Sequence, residues 1–207
     1  MRILVTAGPT REFIDPVRYL TNRSTGTLGY AIAAAAVRRG HQVTLISGPV
    51  ALTPPAGAMI VPIVSAADVA RESLARLDAA DAVVMTAAVA DFTPKAALDH
   101  KLKKTGSGCT LELVPTIDVL TEMGRRRRPD QTLMGFCLET ENGPAEARRK
   151  LADKNCDFIV LNTPANFGDV TADVTVFTRD GDPIALPGLD KPALAERLLD
   201  LLERQSP

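Results

Sequence analysis

Short apolar runs that alternate with helical patterns are the feature that most narrows what this chain can fold into. Ile3-Leu4-Val5-Thr6-Ala7 reads as a buried strand, Leu28 to Arg39 as an alanine-rich helix ended by Gly40, and Gln42 to Ser47 as a second strand. Met59 to Val64 reads as a third strand, Ala66 to Leu77 as a helix, and Ala82 to Ala88 as a fourth strand. That last run is short and wholly apolar, as central parallel strands are. Strand, helix, strand, repeated, predicts an α/β fold: a single Rossmann-like, doubly wound, mostly parallel sheet with helices on both faces.

The second half resumes the alternation after an interruption. Residues 89–110 carry no periodicity and end in Thr105-Gly106-Ser107-Gly108, which predicts a long loop. Thr110 to Val114 reads as a short strand, Ile117 to Gly124 as a short helix, Thr132 to Cys137 as a strand, Pro144 to Lys154 as a helix and Asp157 to Leu161 as a strand. Val174 to Thr178 and Pro183 to Leu186, joined by Asp180-Gly181-Asp182, form a small C-terminal hairpin. The final helix, Pro192 to Glu203, places Leu194, Leu198, Leu201 and Leu202 on one face, a stripe suited to core packing. With no internal repeat and no boundary, residues 1–207 are expected to be one domain, with a mobile lid at about 92–109.

Composition removes several chemistries. Hydrophobic residues make up 45% and charged residues 24%, which is an ordinary globular balance. Lys+Arg 24 against Asp+Glu 25 gives a net charge of -1, so no global basic field points to nucleic acid. The two histidines (His41, His100) and three cysteines (Cys109, Cys137, Cys156) are too widely spaced for a local zinc motif or a disulfide framework. The cysteines are expected buried or half-buried, His41 exposed, and His100 in the loop. No segment reaches the roughly 18 apolar residues of a membrane span, so no membrane partner is expected and the cytoplasm is the default compartment.

The candidate chemistry lies where strands end. The first strand runs into Thr6-Ala7-Gly8-Pro9-Thr10, and ligands of open α/β sheets bind beyond the carboxyl ends of strands. A long insert follows, and the helix opens only at Asn22-Arg23-Ser24-Thr25-Gly26-Thr27. Ser24 or Thr25 is positioned to cap it, and Gly26 admits a ligand to the backbone. Free N–H groups and a partial positive charge there suit a phosphate, although a capped helix with no ligand accounts for the same residues. Small residues in Ala87-Ala88-Val89-Ala90 let a planar base lie against the backbone. Asp91 suits a ribose hydroxyl or, equally, a turn. Lys101-Leu102-Lys103-Lys104 is either a solvated run or part of a lid that closes on an anion. Lys150 and Lys154, spaced i,i+4, share a helix face, with Glu146 available to Lys150 as a surface pair. Arg125 to Arg128 reads as solvated basic residues at a helix C-terminus.

Together these segments resemble the phosphopantothenoylcysteine synthetases of bacterial coenzyme A biosynthesis. The resemblance covers nearly the whole chain. It is carried by Thr6 to Glu12, Asp15 to Tyr19, Thr21 to Ser24 with Gly26, Ser47 to Val50, Ala87 to Asp91, Lys101 to Lys104, Pro115 to Leu120, Gly135-Phe136 with Glu139-Thr140, and Lys150 to Asp157. The chain departs from the usual pattern at Thr25, Thr27, Ile117, Asn162-Thr163 and Ala172. The resemblance implies a ligase with CTP as co-substrate and Mg²⁺ accompanying it. The 4′-phosphopantothenate carboxylate attacks the α-phosphate, giving an acyl-cytidylate and pyrophosphate. The amine of L-cysteine then attacks the acyl carbon and releases CMP. It further implies that Asn22 holds the acyl-cytidylate and that Lys101 serves its turnover. CTP would be bound by Met85, Thr86, Ala87, Asp91, Lys101, Ile117, Asp118, Val119, Leu120, Phe136, Lys150 and Lys154. Gly8, Ser24 and Gly26 would lie near phosphates. A homodimer is implied; flavin and NAD are not.

Two other readings were weighed. A nicotinamide-dependent oxidoreductase asks for GxGxxG after the first strand and an acid closing the second, where this chain has Gly8-Pro9-Thr10 and Ser47-Gly48-Pro49. A non-catalytic nucleotide-binding module would have no use for Asn22 and Lys101.

Overall fold

The computed structural model describes residues 1–104, 106, 108–163 and 171–205. Thr105 and Ser107, which the sequence assigns to the lid, lie outside them. The strands are β1 (Arg2–Ala7), β2 (Arg11–Phe13), β3 (Tyr19–Thr21), β4 (Gln42–Ser47), β5 (Met59–Pro62), β6 (Ala82–Met85), β7 (Phe92–Pro94), β8 (Leu113–Pro115), β9 (Thr132–Leu138), β10 (Phe158–Asn162), β11 (Thr171–Thr178) and β12 (Ile184–Asp190). The helices are α1 (Thr27–Arg38), α2 (Ala66–Leu77), α3 (Val119–Arg126), α4 (Gly143–Asp153) and α5 (Lys191–Gln205).

Eight strands form one sheet in the order β12-β11-β10-β9-β6-β1-β4-β5. The six strands from β10 to β5 are parallel, and β11 and β12 add an antiparallel hairpin at the edge. The chain moves outward from β1 in one direction to β4, and later from β6 in the other direction to β9. The order therefore reverses between β1 and β6, the place where doubly wound sheets leave a crevice.

Alternation along the strands divides the core in two. Ile3, Val5 and Ala7 pack with α1 and α5 residues such as Ile32, Ala36, Leu194 and Leu198. Leu4, on the opposite face, packs with Val69 and Leu77 of α2, Met123 of α3 and Leu151 of α4. The alanines of α1 let it approach the sheet closely. A Cβ on Gly29 would stand 2.5 Å from Thr86 Oγ1 and 2.6 Å from Ala7 Cβ, so the first turn of α1 lies hard against the ends of β1 and β6.

Several sequence expectations need correction. The insert after β1 is not irregular: β2 and β3 form a two-stranded ribbon. Strand β6 stops at Met85, because Ala87 and Ala88 bend over the end of β1. The third sheet strand likewise stops at Pro62. Within 89–110, Phe92–Pro94 pairs with Leu113–Pro115, so the long loop has an ordered base. His41 is largely covered: its Nε2 meets Glu203 Oε1 at 2.8 Å and its Nδ1 meets the N-terminal amine at 3.3 Å. Cys109 is exposed, whereas Cys137 and Cys156 are buried. Arg127 is not solvated. It is buried in a two-pronged pair with Asp157, whose Oδ1 accepts from the guanidinium at 3.0 Å. Leu201 is only half-buried, and Ala195 and Leu199 join Leu194, Leu198 and Leu202 in the stripe.

Among the described residues, no helix is long and apolar enough to cross a membrane.

Candidate active site

Backbone hydrogen bonds at the carboxyl end of the sheet build the floor of the site. Thr6, fully buried, accepts at its carbonyl from Thr86 Oγ1 (2.5 Å) and at its hydroxyl from the Ala87 N–H (3.1 Å). The Ala88 N–H donates to the Gly8 carbonyl at 2.9 Å, and the Gly48 N–H to the Ala7 carbonyl at 2.9 Å. Thr10, also fully buried, accepts the Ala90 N–H at its hydroxyl (3.0 Å). The three turns after β1, β4 and β6 are thus tied into one surface.

Glycines make that surface close. Gly8 and Gly26 hold φ of +79° and +77°. A Cβ on Gly26 would meet Val50 Cγ1 at 3.0 Å and Gly8 at 3.3 Å, so these two backbones are in contact. Gly26 is the residue that caps α1, and among the described residues no side chain bonds the first-turn N–H groups. The expected cap by Ser24 or Thr25 is not made. Ser24 Oγ accepts from the Gly26 N–H at 3.3 Å, and the Thr25 hydroxyl bonds that of Thr27 at 2.8 Å. The backbone at 26 is left-handed, and the Thr25 hydroxyl reaches the Thr27 side chain rather than a first-turn N–H. The N-terminus of α1, lacking any acid in its first turn, is left open beside Gly8.

Asn22 follows β3 directly. Its amide nitrogen donates to the Ala88 carbonyl (3.1 Å) and the Val89 carbonyl (3.2 Å). The amide nitrogen is therefore engaged by the chain beyond β6, and Oδ1 is the remaining acceptor of the side chain. Met85 is buried, Thr86 and Ala87 are half-buried, and Asp91 is exposed. Thr116 links this segment to the next: its N–H donates to the Asp91 carbonyl (2.9 Å) and its hydroxyl to the Ala90 carbonyl (2.6 Å).

That link brings in residues 117–120. Ile117 is exposed, Asp118 caps α3 through the Thr121 N–H (3.0 Å), Val119 is buried, and Leu120 packs on Gly135, next to Phe136. Asp118 also pairs with Lys154, 3.0 Å away. Burial opposes ionisation of Asp118, but the Thr121 N–H and the Lys154 ammonium outweigh it and hold the carboxyl below the usual range. Lys150 does not take Glu146, which pairs with Arg149 instead. It reaches Glu139, just beyond β9, at 2.5 Å. Lys150 of α4 and Lys154, which caps its C-terminus, thereby reach the ends of β9 and α3, each held by a carboxylate.

Lys101 stands apart. It is exposed and, among the described residues, bonded to none of the other candidates. Its neighbour Leu102 is held instead, by two residues of the segment Asp15 to Tyr19 to which the sequence assigned no role. The Leu102 N–H donates to Asp15 Oδ2 (3.1 Å), and the Arg18 guanidinium donates to the Leu102 carbonyl. An Asp-Pro dipeptide is a turn signal and was the available clue to Asp15.

The buried thiols take no part. Burial pushes Cys137 up to about 11 and Cys156 up to about 12, so neither is a thiolate near neutral pH. Among the described residues no cluster of three His, Cys, Asp or Glu side chains forms a metal site. An open groove of about 450 Å³ lies at the amino ends of the strands, lined by Arg2, Gln42, Met59 and Arg76, away from all of these groups.

The fold and its crevice define a doubly wound α/β domain whose candidate site is built from turns after β1, β4, β6 and β9. The chain matches the family described as the DNA/pantothenate metabolism flavoprotein C-terminal domain over residues 1–205, and it belongs to that family. It is 52% identical over 194 residues to the coenzyme A biosynthesis bifunctional protein CoaBC of Bacillus subtilis (strain 168), covering 91% of this chain and 48% of that protein. The chain thus spans about half the length of the curated relatives it matches. Among solved structures it is similar to the C-terminal domain of a coenzyme A biosynthesis bifunctional protein CoaBC, with 41% identity and a TM-score of 0.85, over 98% of this chain and 94% of that one. It is also similar to the DNA/pantothenate metabolism flavoprotein from Streptococcus pneumoniae, with 26% identity and a TM-score of 0.85, over 99% of both chains.

Proposed function

We propose that this chain joins 4′-phosphopantothenate to L-cysteine in coenzyme A biosynthesis, through an acyl-cytidylate made from CTP, and that it works in the cytoplasm. The observation that carries the reading is the N-terminus of α1, left open beside Gly8 at the carboxyl end of the sheet, with Asn22 fastened to the Ala88 and Val89 carbonyls at the same end. The likeness to the CoaBC C-terminal domain supports it.

The chemistry asks for charge neutralisation and positioning more than for an ionisable nucleophile. In the first step a carboxylate oxygen of phosphopantothenate bonds to the α-phosphorus, and the bond to the departing pyrophosphate breaks. In the second, the cysteine amine bonds to the acyl carbon and CMP leaves with the electron pair. The free N–H groups of α1 face a phosphate. Lys150 and Lys154 exchange their carboxylate partners for phosphate oxygens. Asp91 takes the ribose, and Met85 to Ala87 and Leu120 with Phe136 line the base. Asn22 Oδ1 accepts from the amine or holds the intermediate. Lys101 neutralises charge during turnover of the intermediate. Magnesium would accompany the triphosphate and supply charge neutralisation at its phosphates. The nicotinamide alternative loses support at β4. It ends in buried Ser47, whose hydroxyl is bonded to Tyr30 Oη at 2.9 Å, where a carboxylate for the ribose would stand.

A second copy of the chain completes the assembly in this reading. Phe13 and Tyr19 on one ribbon, Phe92 and Leu113 on the other, and Ile117 beside it are large apolar side chains left exposed near the site. Such a patch suits an interface.

The decisive experiment measures pyrophosphate release with CTP and ATP side by side. Release requires phosphopantothenate, and the final product requires cysteine. No pyrophosphate with any nucleotide overturns the proposal. Lys101→Gln is expected to slow the cysteine step so that acyl-cytidylate accumulates; normal product formation removes the role given to Lys101. Sedimentation at micromolar concentration tests the dimer.

A further inference from the structure

Helix α4 is capped by Lys154, and the way the helix ends fixes that residue. The Cys156 N–H donates to the Leu151 carbonyl and the Asn155 N–H to the Ala152 carbonyl, each at 3.1 Å. Between them Asn155 holds a φ of +49°. Two such bonds around a left-handed residue close a helix in a way for which glycine is the usual choice. The chain carries asparagine instead, and its side chain is used. Nδ2 donates to the Gly124 carbonyl in the last turn of α3 (2.8 Å), and Oδ1 accepts from the Arg179 guanidinium (2.8 Å). Arg179 reaches the Cys156 carbonyl as well, at 3.0 Å. Gly124 is buried at this contact. A Cβ there would stand 1.9 Å from the Lys154 carbonyl oxygen and 2.9 Å from its carbon, so the main chain of Lys154 lies directly on α3. The ammonium of the same lysine lies 3.0 Å from Asp118 Oδ2 and 3.2 Å from Oδ1, at the residue that caps the start of α3. One helix therefore holds Lys154 twice, its main chain at the last turn and its side chain at the first.

We propose that Asn155 and Gly124 are positioning residues, a dock between the ends of α4 and α3 that sets Lys154 against the segment 117–120. Both act through Lys154, so the inference rests on the nucleotide-binding role proposed above for that lysine. A glycine at 155 would close α4 equally well but would release α3. Asn155→Gly therefore removes the dock and keeps the helix end. Asn155 is exposed, so the change removes hydrogen bonds rather than packing. The Lys154 ammonium then ranges over more positions, and its hold on an anion beside 117–120 weakens.

Two measurements test the dock. The first follows the Asp118 carboxyl carbon by NMR through a pH titration of the ligand-free protein. Burial opposes ionisation of this carboxyl, and the Thr121 N–H and the Lys154 ammonium hold it low. Asn155→Gly is expected to shift its midpoint upward, in the same direction as Lys154→Met. The second separates KM from kcat for CTP in pyrophosphate release. Asn155→Gly should raise the KM for CTP about fivefold with kcat little changed, a part of what a charge-assisted hydrogen bond contributes. In a Lys154→Met background the same change should add nothing further, because its effect passes through that ammonium. Gly124→Ala, which forces the Lys154 main chain away, should reproduce both effects with a loss of stability. Ser65→Ala, which removes the cap of α2, should lower stability and move neither readout. An unchanged Asp118 titration in Asn155→Gly overturns the dock. A KM for CTP that stays where it was, or that rises as much without the Lys154 ammonium, overturns the positioning role, as does a fall in kcat alone. A native chain that releases no pyrophosphate with CTP instead overturns the proposed function, and the Asp118 titration then decides whether the dock exists.

Discussion

Helices α1 and α2 both begin at the carboxyl end of the sheet, yet their first turns are built in opposite ways. In α2 the Ala66 and Asp68 N–H groups are answered by side chains of the protein. Ser65 Oγ accepts the Asp68 N–H (3.2 Å), and Asp68 Oδ2 accepts the Ser65 N–H (3.0 Å) and the Val64 N–H (3.2 Å). Glu12 accepts the Ala66 N–H. In α1 the cap is a left-handed glycine, among the described residues no side chain bonds a first-turn N–H, and no acid lies in that turn. A helix end satisfied by its own carboxylates has nothing left for an anion; an end left open beside close-packed glycines does. The difference suits α2 to holding the ribbon and, in the reading proposed above, α1 to receiving a phosphate.

The largest effect should come from filling the floor beneath α1. A Cβ on Gly48 would lie 2.0 Å from the Pro9 carbonyl oxygen, a backbone atom that cannot swing aside. Gly48→Ala should therefore displace the turn after β1, cost about 3 kcal/mol in urea unfolding, and abolish turnover. A variant of native stability and activity breaks the account of the floor. Next comes the charge on the closed helix. The Ser65 N–H is the main cause that lowers Asp68, with burial opposing it and Arg71 assisting, and the carboxyl falls to about 2. A depressed carboxyl stabilises the fold above its unfolded value of 3.8, and that stability is lost as pH falls through about 2. Unfolding between pH 5 and pH 2 should show a loss on the order of 2 kcal/mol that is missing in Asp68→Asn. A pH profile identical in the two proteins removes α2's side of the contrast. Ser65→Ala should cost about 1 kcal/mol of stability and leave turnover unchanged. A fall in turnover without a fall in stability would mean α2, too, faces substrate.

The same contrast separates what could be read in the sequence from what could not. Ile3 to Ala7, Ala82 to Met85 and the leucines of α5 announce themselves because burial on a sheet or helix face imposes a period. The β11–β12 hairpin is marked by Asp180-Gly181-Asp182. The ribbons β2–β3 and β7–β8 have strands of three residues, too short for any period, and single buried acids hold the first of them. Glu12 and Asp15 look like ordinary surface charges until the fold places their partners, Ala66 and Leu102, 54 and 87 residues away. Arg127, within a run of four arginines, owes its burial to Asp157, a partner 30 residues on. Of the site, the glycines, the small residues after β6 and the lysines were legible as types. Which groups they face was not: Glu139 rather than Glu146 for Lys150, Asp118 for Lys154, and the Ala88 and Val89 carbonyls for Asn22. The cap of α1 misled because Ser and Thr are the usual caps, and only the structure shows a left-handed Gly26 in that place.

The smallest change is the one that turns α1 into a copy of α2. Thr27 is exposed and opens the helix, so Thr27→Asp places a carboxylate in the first turn, where the helix field favours it. In α2 the equivalent charge belongs to the cap; in α1 it would occupy the space proposed for phosphate. Stability should rise by about 0.5 kcal/mol, more at low salt than at high. The KM for CTP should rise at the same time, with the rate at saturation little changed, because the added charge opposes binding of the nucleotide rather than any single bond-making step. Opposite signs for stability and nucleotide affinity are what an open anion site requires of a change this small. If Thr27→Asp stabilises the protein and leaves the KM for CTP where it was, the first turn of α1 faces solvent alone, and the phosphates of the nucleotide lie elsewhere in the crevice.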